Sequence, residues 1–186
     1  MLKKLAIAAC ILMAATIATG KGTAMAANLE DTLYLETKYG RVVIEMRPDL
    51  APKHVERIKE LARQKFYDGL KFHRVIEGFM AQTGDPNGDG TGGSGQKLPP
   101  EFNSESHVRG TVSMARAASP ASADSQFFIC LADATYLDNK YTVWGKVTSG
   151  MEFMDMIKKG NAARNGAVSD PDVIVSMRVA ADVEKK

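Results

Sequence analysis

Eight short runs rich in β-branched and aromatic residues recur along this chain, most of them set apart by Gly, Pro, Asn or Asp. They are Thr32–Thr37, Arg41–Met46, Lys71–Val75, Phe79–Thr83, Thr111–Met114, Gln126–Leu131, Thr142–Val147 and Val173–Val179. Lys38-Tyr39-Gly40 between the first two marks a hairpin. Only two stretches carry helical periodicity. Pro52 suits a first helical turn, and Val55, Ile58, Leu61 and Ala62 then recur on one face as far as Gln64. A second helix is expected over about Met151–Lys159, ending at Gly160. Strands and helices do not alternate in a βαβ rhythm, which argues against a parallel sheet. The expected fold class is mainly β: a closed eight-stranded antiparallel β-barrel capped by two α-helices, closure removing the exposed strand edges.

The first residues read as an address. Lys3 and Lys4 precede an apolar run from Leu5 to Thr19, and Ala24, Met25 and Ala26 follow in an A-x-A arrangement, the layout of a secretory signal peptide. About 15 apolar residues interrupted by Thr16 and Thr19 fall short of the roughly 20 that a spanning helix needs. Ile7-Ala8-Ala9-Cys10 imitates a lipoprotein processing site, but the apolar stretch before Cys10 is too short to engage export first. The expected organisation is a signal peptide over 1–27 and one domain over 28–186, exported, in the periplasm, with no stable membrane anchor.

Removing that segment takes Lys3, Lys4 and Lys21 and changes the balance of 24 Lys plus Arg against 22 Asp plus Glu to 21 against 22, or −1. Such a chain lacks the basic field that sequence-independent nucleic-acid binding requires, so no nucleic-acid partner is expected. Cys10 leaves as well, and Cys130 alone cannot form an intramolecular disulfide. The core must hold the domain unaided, which roughly 150 residues manage by burying about 68–70% of their unfolded surface.

Several motifs fail on inspection. Gly84–Gly95 holds six Gly in twelve residues, and Gly88-x-Gly90-x-x-Gly93 within it has the dinucleotide-binding spelling. That motif needs a helix to receive the pyrophosphate, whereas Lys97-Leu98-Pro99-Pro100 follows. Asp85-x-Asn87-x-Asp89-Gly90 opens like an EF-hand loop but has Gln96 where the bidentate Glu belongs. His54, His73 and His107 show no ligand spacing with each other or with Cys130, and there is no G-x-S-x-G elbow. Neither metal nor cofactor is expected.

What remains is a set of apolar and amide residues around one arginine: Phe72-His73-Arg74-Val75-Ile76, then Gly78-Phe79-Met80-Ala81-Gln82-Thr83-Gly84-Asp85. Here the chain resembles the cyclophilins. The likeness continues in family order through Gly90-Thr91-Gly92-Gly93, Glu101-Phe102, Gly110–Arg116, Ser125–Cys130 and Val143–Val147, covering about Asp31–Asp182. The resemblance implies an eight-stranded barrel capped by two helices, with peptidyl-prolyl cis-trans isomerase activity. The expected function is to speed folding of exported proteins without a cofactor, the expected partners are proline-containing segments of unfolded or flexible polypeptides, and a monomer is expected. It places the catalytic arginine on Arg74, the proline pocket on Phe79, Met80, Phe128 and Leu137, and backbone-binding groups on Gln82, Ala115 and Arg116. Tyr136 stands where many members have a tryptophan, Tyr141 where many have a histidine, and Arg116 replaces a frequent asparagine. A second reading in the same groove is a proline-peptide binding module or chaperone without essential turnover. His73, beside Arg74 in a strand, turns to the opposite face and is read as structural.

Overall fold

The computed structural model describes residues 28–184. Residues 1–27, where the signal peptide is expected, lie outside them. Eight strands form one antiparallel sheet: β1 (Thr32–Thr37), β2 (Gly40–Met46), β3 (Arg74–Ile76), β4 (Met80–Thr83), β5 (Thr111–Met114), β6 (Phe127–Cys130), β7 (Val143–Ser149) and β8 (Ser176–Val179), in the order β3-β4-β6-β5-β7-β2-β1-β8. Three helices accompany it: α1 (Pro52–Arg63), α2 (Met151–Met156) and α3 (Ala180–Val183). Among the described residues, no helix is long and apolar enough to cross a membrane.

The barrel is not closed. The end strands β3 and β8 do not pair, so the sheet is a curled half-barrel. An irregular strip of chain lies along β3 instead. Val75 N–H donates to Gly166 O (2.8 Å), Gly160 N–H to Val75 O (2.9 Å), Val168 N–H to His73 O (3.0 Å) and Phe72 N–H to Asp172 O (2.9 Å). Asn165, Gly166 and Asp170 all have positive φ, which breaks any regular ladder but still occupies the open edge. The strands expected at Lys71–Val75 and Val173–Val179 are shortened for the same reason. Of their first halves a single bridge survives, Lys71 with Val173. The expected pair of helices becomes three: α3 is added, and α2 stops at Met156 because Ile157 has extended dihedrals (φ −56°, ψ 132°).

α1 begins with Pro52 at its first turn and buries Val55, Ile58, Leu61 and Ala62 against the sheet. Its N-terminus has no cap from Ala51. The remote Glu101 carboxylate accepts from Lys53 N–H (3.2 Å) and His54 N–H (3.0 Å) and takes their place. The principal core centres on Trp144, Tyr67 and Phe127, whose rings meet edge to face at 5.5 and 5.6 Å.

Strand alternation divides β6 between two apolar clusters. Phe127 and Ile129 join the principal core, while Phe128 and Cys130 point to the other face, where Met80, Ala134 and Leu137 meet them. This second cluster carries the candidate site.

Candidate active site

Cross-strand register assembles the site. Arg74 on β3 pairs with Gln82 on β4, Gln82 with Phe128 on β6, and Phe128 with Ser113 on β5, which sets one row across one face of the sheet. The next row is Ile76, Met80 and Cys130. All ten residues that the resemblance named line a single open pocket of about 280 Å³.

Arg74 is held by its own donors. Nε–H donates to Asn165 O (3.0 Å), one terminal nitrogen to Asn165 Oδ1 (3.0 Å) and the other to Gln82 Oε1 (3.1 Å). A guanidinium has five N–H groups in one plane. The nitrogen bonded to Gln82 also reaches Met80 Sδ (3.9 Å), a weak acceptor on the pocket floor, and the nitrogen bonded to Asn165 Oδ1 keeps one N–H for a ligand. Burial lowers the Arg74 pKa from its ordinary value, yet an arginine keeps its charge. The half-buried setting strengthens any hydrogen bond that it gives.

Both holders are fixed in turn. Gln82 Nε2 donates to Gln126 Oε1 (2.9 Å), and Gln126 Nε2 donates to the carbonyls of Gly92 (2.8 Å) and Gly90 (3.1 Å). The glycine-rich loop therefore sets which end of the Gln82 amide faces the arginine. Asn165 follows a 3₁₀ turn, Ala162–Arg164, in the left-handed conformation (φ 53°, ψ 36°), where asparagine is tolerated. Gly166 comes next because an added Cβ would collide with Ile76. Asn165 and Gln126 were not expected as site residues. The Asn165-Gly166 pair is a turn signal in sequence, but nothing in it points to an arginine 91 residues away.

The opposite side is apolar. Phe128 and Tyr141 meet edge to face (5.9 Å, 82°), and Phe79 lies under Tyr136 (5.8 Å, 37°), which stands 60% exposed at the rim. Leu137 and Met80 complete the floor. Arg116 also lines the pocket but folds back on the chain. It donates to the carbonyls of Lys140, Ala117 and Ala118, and its guanidinium lies 4.6 Å from the Tyr141 ring centroid. A second hollow of about 310 Å³ shares Gln82, Ala115 and Arg116 and continues along Gly90–Gly92 toward Lys97 and Asp124. The two make one groove.

Other candidates fall away on geometry. Both Asp85 carboxylate oxygens are turned inward onto amides of Asn87, Asp89 and Gly90, so the segment that opens like an EF-hand closes on itself as a turn. Burial pushes the Cys130 thiol up to about 12, which leaves no thiolate for nucleophilic attack. His73 is buried away from the pocket with neither ring nitrogen bonded, and desolvation lowers its pKa.

The outer face of the half-barrel thus carries a fixed arginine beside an apolar pocket. Comparison with known proteins gives the family. The model described as cyclophilin type peptidyl-prolyl cis-trans isomerase/CLD matches residues 32–179. A Brucella suis protein named "Probable peptidyl-prolyl cis-trans isomerase" is 53% identical over 174 residues, 87% of this chain and 89% of its own length. A Helicobacter pylori peptidyl-prolyl cis-trans isomerase is 44% identical over 140 residues, 72% of this chain and 85% of its own. Two solved structures are 28% identical. A Hirschia baltica cyclophilin has a TM-score of 0.75 and covers 84% of this chain and 76% of its own. A Cryptosporidium parvum cyclophilin-type isomerase, solved in the presence of the dipeptide Ala-Pro, has 0.73 and covers 80% and 98%. The chain belongs to the cyclophilin-type peptidyl-prolyl cis-trans isomerase family and is an enzyme of that class.

Proposed function

We propose that this isomerase rotates X–Pro bonds in the pocket beside Arg74, on flexible segments of exported proteins. The observation that carries the proposal is an arginine fixed by Asn165 and Gln82 at the edge of an apolar pocket, with one N–H unbonded and a second turned only to the weak acceptor Met80 Sδ (3.9 Å).

The peptide C–N bond resists rotation by about 18–20 kcal/mol because the nitrogen lone pair is delocalised into the carbonyl. Uncatalysed exchange at X–Pro takes roughly 10–100 s. As the bond twists, the prolyl nitrogen becomes pyramidal and regains its lone pair. A guanidinium already fixed by Asn165 and Gln82 meets that lone pair with a hydrogen bond that the planar ground state accepts only weakly, so the twisted state is bound in preference. Phe79, Met80, Phe128 and Leu137 seat the ring and exclude water, while Gln82, Ala115 and Arg116 flank the backbone and Tyr136 and Tyr141 close the rim. An acceleration on the order of 10⁵ needs only about 7 kcal/mol of such preference, within reach of non-covalent contacts.

Export rests on the Lys3–Ala26 pattern, which supports cleavage near residue 27 and a periplasmic site of action, where newly translocated chains with slow prolines are available. The test has two parts. Arg74→Ala is expected to lose isomerisation while retaining peptide binding, and mass spectrometry of protein secreted by a host cell is expected to find an N-terminus near Asn28. A retained leader would reject the export reading, and full activity in Arg74→Ala would reject the chemistry.

A further inference from the structure

His107 does not line the pocket and is fully buried. Its imidazole lies nearly parallel to Phe128 (6.1 Å, 19°), and Tyr141 meets it edge-on at 6.5 Å. Asp138 Oδ1 accepts from the His107 amide (2.8 Å) and lies 2.9 Å from Nδ1, and Ser106 Oγ donates to Asp138 Oδ2 (3.1 Å). The His107 amide and ring and the Ser106 hydroxyl hold the Asp138 carboxyl below the usual carboxylate range, so it is an acceptor and Nδ1 carries the hydrogen. Nε2 then faces Ser113 Oγ at 3.0 Å.

Asp138 ends the 3₁₀ turn Thr135–Leu137, which supplies Tyr136 and Leu137 to the pocket. Among the described residues, the hydrogen bonds that tie 133–138 to distant chain run to residues 106–109: Ala134 N–H to His107 O (2.7 Å), Arg109 N–H to Asp133 Oδ1 (3.1 Å), and the Asp138 contacts already given. One buried ring thus backs the Phe128–Tyr141 wall and anchors the turn that forms the facing wall.

We propose that His107 is a positioning residue for the isomerase reaction: through Asp138 it fixes the Tyr136–Leu137 turn relative to Phe128 and so sets the width of the pocket that seats proline. This rests on the pocket being the substrate site. Its effect falls chiefly on binding, because the oxygens that hold Arg74 come from Gln82 and Asn165, which are not hydrogen-bonded to the turn, and the guanidinium meets the cluster containing Leu137 only through the weak acceptor Met80 Sδ (3.9 Å).

The experiment measures kcat and KM for an X–Pro peptide by exchange NMR with the purified protein. His107→Phe keeps a flat ring and the backbone N–H bond to Asp138 but loses the ring bond, and Asp138→Ala loses all the bonds of that carboxylate but keeps the ring. Each is expected to raise KM about tenfold, the scale of a lost hydrogen bond to a charged group, with kcat within about threefold of wild type. Asp138→Asn retains an acceptor oxygen and is expected to restore KM to within about threefold of wild type. The double variant is expected to match the worse single variant, because both changes cut one connection. If His107→Phe fails to fold, Asp138→Ala and its Asn rescue decide. A wild-type KM in folded Asp138→Ala, or a loss confined to kcat, overturns the proposal. Arg74→Ala in the same series separates the two readings: its full activity would reject the pocket itself, whereas its collapse beside unchanged tether variants would reject only His107.

Discussion

Arg74 and Arg116 border the same pocket, and they are held in different ways. Arg74 starts a strand, is half-buried, and gives three N–H groups to side-chain and backbone oxygens that are themselves fixed. Arg116, just after β5, is half-buried too, but its donors return to the carbonyls of Ala117, Ala118 and Lys140 while its face lies on Tyr141. Both carry a positive charge at the pocket. The difference is direction: Arg74 has donors left over in a fixed plane beside the apolar floor, whereas Arg116 braces a rim. A charge acts on a developing lone pair only when its hydrogen is aimed before the reaction starts.

That contrast orders the expected effects. Arg74→Ala should lower kcat/KM by about 10²–10³, the scale for removing one preorganised donor at a reacting centre. Arg74→Lys should recover little of it, since an ammonium on a flexible stem keeps the charge but loses the planar fork. Asn165→Gly comes next. Glycine keeps the positive φ and the backbone carbonyl but deletes Oδ1, so kcat should fall about tenfold with KM nearly unchanged, as measured by exchange at saturating peptide. Arg116→Ala should cost about threefold or less in kcat/KM, the range of a surface cation–π contact. A loss as large as that of Arg74→Ala would break the comparison.

Acid provides the smallest effect on rate. Burial lowers the pKa of His54 and His73 from the ordinary 6.5. The unfolded chain therefore binds more protons than the native one below that value. The stability is intact above about pH 6.5 and is lost progressively as pH falls toward the depressed native values. Tm followed by calorimetry should decline over that window. The turnover of molecules still folded should stay flat, because Arg74 does not titrate there.

Much of this site was legible in the sequence because the motifs around Arg74, Gln82, Ala115 and Phe128 lie on strands whose alternation the residues themselves declare. β1 and β5 have their expected spans, and the bounds of β2, β4, β6 and β7 lie within two residues of theirs. Whether Phe128 belonged to a core or a pocket was not legible: Phe127 and Phe128 are alike in composition, and only the covering of the outer face by residues 134–141 separates them. Closure of the barrel was overestimated because Lys71–Val75 and Val173–Val179 have the composition of paired strands. Asn165, Gly166 and Asp170 instead bend the intervening chain along β3 as an irregular strip. The same bend delivers Asn165 to Arg74, a contact between residues 91 apart that no local pattern encodes. His107 shows a similar limit, since its role depends on Asp138, 31 residues later.

The central claim is that a fixed arginine donor, rather than the pocket alone, accelerates rotation about the X–Pro bond. The direct measurement is the cis-to-trans exchange rate of a short X–Pro peptide by NMR, wild type beside Arg74→Ala, with peptide binding followed on the same samples. The expected result is strong acceleration by wild type that collapses in the variant by about 10²–10³ while the peptide still binds. Equal acceleration by a well-folded Arg74→Ala would contradict the account.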